Sequence, residues 1–314
     1  KNGEIIQRLD MNDYNFRVSY QMEQDFNVQS QVARSIIDNW TESLKTFRFL
    51  NRVRFYHPDY PIFADLSIVK SSTKTNYVPI PKYTVQESNV FQNMETYEIE
   101  LEIDNSRVGQ GSKFETVAEL MKSIRSCIMI VLSGLQLTKF PISYPEKNTI
   151  LQSYMRLIYG EEYRERFVRT KDFIGPSSFT LQLENIQPIN EESNVVNIRQ
   201  DYTVTDKADG ERKLLYINTE GKIYMIDTNM NVIFTGTKTK DKTIFNSLLD
   251  GEHVKFDKRA NVINLYAAFD VYYINGVSVR GFPFISSIGG GEEEANKGPI
   301  IKDTTPQPKI KCNT

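Results

Sequence analysis

Apolar and polar residues alternate with period two along several stretches of the chain. Between residues 15 and 25, Phe16, Val18, Tyr20 and Met22 alternate with Arg17, Ser19, Gln21 and Glu23, which predicts a half-buried strand. Residues 52–56, 63–70 and 97–103 repeat the pattern. Helical spacing appears in residues 29–49, through Val32, Ile36, Ile37, Trp40, Leu44 and Phe47. Residues 113–137 predict an amphipathic helix with Phe114, Val117, Leu120, Met121, Ile124, Ile128 and Val131 inward. A second helical stretch covers 148–167. Gly175-Pro176 and the Asn and Glu clusters after it mark 175–200 as a connection. Short strands follow at 213–218, 222–227, 231–234 and 262–274. The run from Gly289 to Glu294 reads as a low-complexity loop.

The polar partners in these strands are sorted by charge. One strand carries Arg52 and Arg54, another Asp65, Ser67 and (after a register change) Lys70, a third Glu98, Glu100 and Glu102. Three carboxylates on one strand face disfavour one another unless something positive compensates. A hard divalent cation, Mg²⁺ or Mn²⁺, would suit them. Arg17, Arg52, Arg54 and Lys70 would then hold phosphate oxygens. The alternative is a solvated sheet face.

Composition narrows the class. At 314 residues the chain is long enough for two domains. With 39% hydrophobic and 25% charged residues it is a globular protein, with no run long enough for a membrane helix. A net charge of -2 means that any nucleic-acid surface must be local. The two cysteines, Cys127 and Cys312, define neither a disulfide framework nor a zinc site. His57 and His253 are too isolated for a histidine-based metal site. The chain starts at Lys1 and reads as a piece of something longer.

The segment Lys207-Ala208-Asp209-Gly210-Glu211-Arg212 carries the clearest candidate chemistry. It places a lysine between strand-like runs, with an aspartate two residues on, an arrangement suited to covalent chemistry on a nucleotide phosphate. Lys-x-Asp-Gly alone is a weak signal. Asp227 in Tyr224-Met225-Ile226-Asp227, then Leu249-Asp250-Gly251-Glu252, then Phe269-Asp270-Val271 follow it in order. Together they resemble the covalent nucleotidyltransferase family of mRNA guanylyltransferases and polynucleotide ligases.

That resemblance implies a role for each matching position. Lys207 is the nucleophile that takes the nucleoside monophosphate, its amine made reactive by a nearby cation or by desolvation. Asp209 orients the lysine and the acceptor or metal, and Gly210 allows a close backbone approach. Arg212 lies near the ribose, Asp227 belongs to the nucleotide pocket, and Glu252 contacts the ribose or metal side. Thr228 stands where the family often has a basic residue.

The earlier strands resemble the metal-dependent RNA triphosphatase module of capping enzymes from large DNA viruses, of the poxvirus, asfarvirus and mimivirus type. The residues that carry this are Tyr97 to Ile103, Asp65-Leu66-Ser67-Ile68-Val69-Lys70 and Phe16 to Gln24. It implies an α+β chain: an antiparallel β tunnel over 1–175, a connection over 176–200, and a guanylyltransferase domain over 201–314. Glu98, Glu100 and Glu102 would bind the metal, Glu100 and Glu102 acting in catalysis. The family's second glutamate strand has no match in residues 1–10, which offer only Glu4. Gly298 to Lys302 and Lys309-Ile310-Lys311 match the family's later elements poorly.

The implied activity is removal of the RNA γ-phosphate, then transfer of GMP from GTP through Lys207. The implied partners are 5′-triphosphate RNA, GTP and a stimulatory or methyltransferase subunit or C-terminal domain, with no membrane. The implied setting is the cytoplasm, in a viral factory or virion. Competing readings are an ATP-dependent ligase or RNA-repair transferase, and a non-catalytic triphosphate-RNA binder.

Overall fold

The computed structural model describes residues 8–21, 25–190, 192, 194–199, 202 and 207–282. The chain divides into two compact units, 1–135 and 136–314.

In the first unit, β1 (Arg8–Met11) and β2 (Phe16–Ser19) form a two-stranded ribbon turning through Asn15, whose φ is positive. The expected strand at 15–25 is therefore short, and Val18 and Tyr20 are exposed. Met22 and Glu23 lie outside the described residues. Helix α1 (Gln31–Asp38), capped by Ser30, covers only part of the stretch expected to be helical. Three longer strands, β3 (Arg48–Tyr56), β4 (Ile62–Ser71) and β7 (Thr96–Ile103), pair antiparallel in the order β3-β4-β7. Between β4 and β7 lie the two-residue strands β5 (Lys74–Thr75) and β6 (Val78–Pro79) and the single turn α2 (Val85–Ser88). Among the described residues these strands form open sheets; they do not close into a tunnel.

Register explains the sorted charges. Arg52 pairs with Ser67 and Ser67 with Glu98; Arg54 pairs with Asp65 and Asp65 with Glu100. Arginine, aspartate–serine and glutamate rows thus lie side by side on one face. Asp65, Ser67 and Val69 of the middle strand are buried there, while Leu66 and Ile68 on the other face are exposed. Helix α3 (Val117–Gln136) starts at a reciprocal Thr116–Glu119 cap. Phe114 and Leu132 are buried, but Val117 and Met121, expected inward, are exposed.

The second unit is built on a six-stranded antiparallel sheet, ordered β10-β9-β8-β11-β12-β13. Its strands are β8 (Glu211–Ile217), β9 (Lys222–Asp227), β10 (Val232–Lys238), β11 (Ser247–Phe256), β12 (Val262–Ile274) and β13 (Val277–Ser278). Helix α4 (Tyr144–Tyr159) runs from the Ser143 cap to Gly160, whose positive φ ends it. It stops well short of the expected residue 167. Its Ile150, Tyr154 and Met155 form one core with Leu214, Tyr216, Tyr224, Ile226, Leu248 and Tyr272. Because this helix packs on the second sheet, the compact units divide at 135/136 rather than after 175. Leu215, Ile217, Ile223, Met225 and Tyr266 form a second core on the opposite face of the sheet.

Candidate active site

The lysine segment enters the sheet at β8, beside the strand that carries Asp250-Gly251-Glu252. Antiparallel register sets Arg212 against Glu252 and Leu214 against Asp250. The Gly210 amide donates to Glu252 Oε2 at 2.9 Å. A Cβ on Gly210 would lie 2.7 Å from the His253 carbonyl oxygen, so only glycine permits this approach. Lys207 and Asp209 are exposed, and Lys207 Nζ donates to the Ala208 carbonyl at 3.2 Å.

Arg212 is the organising cation. Its Nε and Nη2 donate to Asp250 at 3.1 and 2.5 Å, and its Nη1 donates to the Pro176 carbonyl at 2.5 Å. Asp250 is fully buried and also accepts from the Tyr272 hydroxyl at 2.6 Å. The guanidinium lies 5.6 Å from the Phe173 ring and 5.8 Å from the Phe269 ring. A Cβ on Gly175 would stand 2.5 Å from Arg212 Nη2. Each guanidinium contact fixes a direction, leaving little rotational freedom.

Alongside, Lys213 is buried and reaches Glu211 at 3.0 Å and His253 Nδ1 at 3.3 Å. Hydrogen bonds from Lys255 and then Lys213 bring the Glu211 carboxyl down to about 2. Burial lowers the proton affinity of His253, so its Nδ1 accepts from Lys213 and its Nε2–H donates to Asn264.

The structure thus brings Gly210, Arg212 and Glu252 together at one end of the sheet, with Lys207 and Asp209 exposed on the segment that leads into β8. Asp227 is placed differently. It sits opposite Lys213 on β9, but its carboxylate accepts from the Asn229 and Asn231 amides and from Asn231 Nδ2, all within 2.9 Å. It shapes the β9–β10 turn. Asp250, Tyr272, Phe173 and Phe269 were not expected as site residues. Tyr272 and Phe269 stand three residues apart in a hydrophobic strand that looks like plain core. Only the Asp-Gly-Glu run hinted at Asp250.

In the first unit every expected phosphate-binding side chain already has a partner. Arg17 donates to Asp10 at 2.6 Å. Arg48 pairs with Glu98 and Arg52 with Glu100; Arg52 also reaches Asp65 at 3.0 Å. Arg54 holds Asp65 through two 2.7 Å bonds and Glu102 at 2.6 Å. The Arg54 hydrogen bond keeps the Asp65 carboxyl below the usual range. Lys70 Nζ donates to the Phe91 carbonyl, and Lys70 pairs with Phe49 on the sheet's apolar face, away from the arginines. Among the described residues no group of three or more His, Cys, Asp or Glu could hold a metal ion. The compensation expected from a cation is supplied by arginine.

Two comparisons bear on this architecture. Residues 146–294 match the family model described as mRNA capping enzyme, catalytic domain, a stretch that holds most of α4 and all of Lys207, Arg212, Asp250 and Glu252. Over 184 residues the chain is 28% identical to a probable mRNA-capping enzyme of Acanthamoeba polyphaga mimivirus. That match covers 59% of this chain and 13% of the relative, so the chain spans a small part of that protein's length. No helix among the described residues is long and apolar enough to cross a membrane.

Proposed function

We propose that the second unit is a guanylyltransferase that caps RNA through Lys207. The observation that supports this most is the coincidence of the capping-enzyme match with an exposed lysine five residues before the fixed Arg212–Asp250 pair. In the first half-reaction the Lys207 amine attacks the α-phosphorus of GTP. A phosphorus–nitrogen bond forms, the bond to the bridging oxygen breaks, pyrophosphate leaves and the amine proton passes to solvent. In the second, a terminal oxygen of diphosphate RNA displaces the lysine, which regains its proton. Arg212 would lie near the nucleotide sugar, and Glu252 would hold the lysine turn through its hydrogen bond from the Gly210 amide. Lys207 is exposed, so its desolvation would come with the bound nucleotide. Mg²⁺ or Mn²⁺ needs only one or two protein carboxylates beside substrate phosphates. The exposed Asp209 fits that requirement, and the ion would neutralise phosphate charge.

The finer part of the proposal gives the first unit the preceding γ-phosphate removal. It is supported by the row of Glu98, Glu100 and Glu102 facing Arg48, Arg52 and Arg54. The carboxylates as placed do not fit a metal site, so hydrolysis would require the arginines to leave them for phosphate oxygens.

Labelling with α-³²P GTP against α-³²P ATP, followed by denaturing electrophoresis, tests the central reading. Label from GTP, lost in Lys207→Ala, is expected; label from ATP alone overturns it in favour of a ligase.

A further inference from the structure

The segment that joins α4 to the active site carries features that neither half-reaction uses. Tyr159 and Tyr163 stack at 6.1 Å with rings 19° apart, and Arg166 lies 6.0 Å from the Tyr159 ring. These residues, with Glu162 and Arg164, line an open cleft of about 330 Å³. Phe167, next in sequence, is 82% exposed. Arg164, Arg169 and Lys171 are exposed, and Glu165 is drawn away by its ion pair with Arg156.

The segment is also held firmly. Arg166 grips the buried Asp172 through bonds of 2.8 and 2.6 Å, and Asp172 accepts from the Arg169 amide at 2.8 Å. The buried Tyr154 hydroxyl donates to the Asp172 carbonyl and accepts from the Ile174 amide. Phe173 and Pro176 then contact Arg212 directly. Eight residues separate Arg166 from Gly175, at most about 32 Å of extended chain. The cleft is therefore tethered, through this held segment, to the Phe173 and Pro176 contacts on Arg212.

We propose that the Tyr159–Lys171 surface binds the 5′ segment of the single-stranded RNA that accepts the guanylate. Bases would stack on Phe167 and on the Tyr159–Tyr163 pair, and Arg164, Arg169 and Lys171 would meet the phosphates. Single-stranded RNA is recognised by this combination of aromatic faces and a cationic track, because every base has a face to stack. Glu162 at the cleft rim disfavours phosphate there, which places bases in the cleft and the backbone along the arginine side. The proposal rests on the capping reading for the RNA's role, and its test separates the two.

The test measures binding of the full chain to a short 5′-diphosphate RNA by fluorescence anisotropy across a salt series. Lysine–GMP formation, which needs no RNA, is read in parallel. Phe167→Ala should weaken binding about tenfold, the loss of one stacked base. The double variant Arg164→Ala/Arg169→Ala should flatten the log K against log salt slope by about 1.4, from about 0.7 per phosphate contact on a single strand. Photocrosslinking of a 4-thiouridine RNA should map to the peptide containing Phe167. Wild-type affinity and slope in both variants, with crosslinks elsewhere, overturn the RNA surface even if Lys207 is guanylylated. Failure of wild type to form lysine–GMP, with RNA binding still lost in the variants, overturns the capping reading alone.

Discussion

Asp250→Asn isolates the interaction that gives the site its geometry. The native carboxylate is fully buried and takes two hydrogen bonds from Arg212 and one from Tyr272. The amide keeps the shape but loses the charge and can accept through only one atom. Breaking one partner of a buried ion pair costs about 3–5 kcal/mol. Arg212 keeps 27% side-chain exposure, which places the loss near the lower end, about 3 kcal/mol. For a unit of this size that is roughly 6–12 °C in melting temperature. Trp40, the only tryptophan, lies in the first unit, so its fluorescence does not report on this loss. Calorimetry, with far-UV circular dichroism alongside, resolves the second unit. The double variant Asp250→Asn/Arg212→Met should recover part of the loss, because it removes both charges. A single variant that melts within about 0.5 kcal/mol of wild type, or strict additivity in the cycle, would refute the claim that Asp250 holds Arg212.

Gly175→Ala forces Arg212 or Phe173 aside, so it should lower lysine–GMP formation while circular dichroism stays native. Asp172 is held at about 2 by Arg166, with further help from the Arg169 amide. Its folded value is depressed, so its stabilisation is present above the unfolded value near 3.8 and is lost as pH falls through about 2. Asp172→Asn should therefore flatten the acid limb of a stability–pH curve between about pH 4 and 2. Glu100→Ala should abolish phosphate release from triphosphate RNA if the first unit is hydrolytic, and leave Lys207 labelling intact. Release that persists in that variant removes Glu100 from the chemistry.

The long strands of the first unit were legible because alternation runs through most of each, although adjacent apolar residues interrupt it at Phe49-Leu50 and Ile68-Val69. Which face they bury was not. Pairing turns the sorted rows into a mosaic of ion pairs in which Arg52 and Arg54 bridge to partners on two other strands, and no single-strand pattern contains that information. Strand β11 went unread because Asp250, Gly251, Glu252 and His253 are poor strand formers, and neighbours on both sides override their propensity. The early end of α4 was written in Gly160, but apolar residues beyond it mimicked helical spacing. At the candidate site the lysine motif and its ordered downstream carboxylates were visible. Their division of labour was not. Asp227 closes a hairpin turn and Asp250 is sealed under Arg212, and burial alone separates the two.

In the proposed reaction one particular lysine, Lys207, carries the nucleotide. Peptide mapping by mass spectrometry after incubation with GTP and Mg²⁺ tests it most directly. A GMP adduct is expected on the peptide that contains Lys207 and on no other. An adduct on Lys213 or Lys255 instead, or none from GTP, would contradict it.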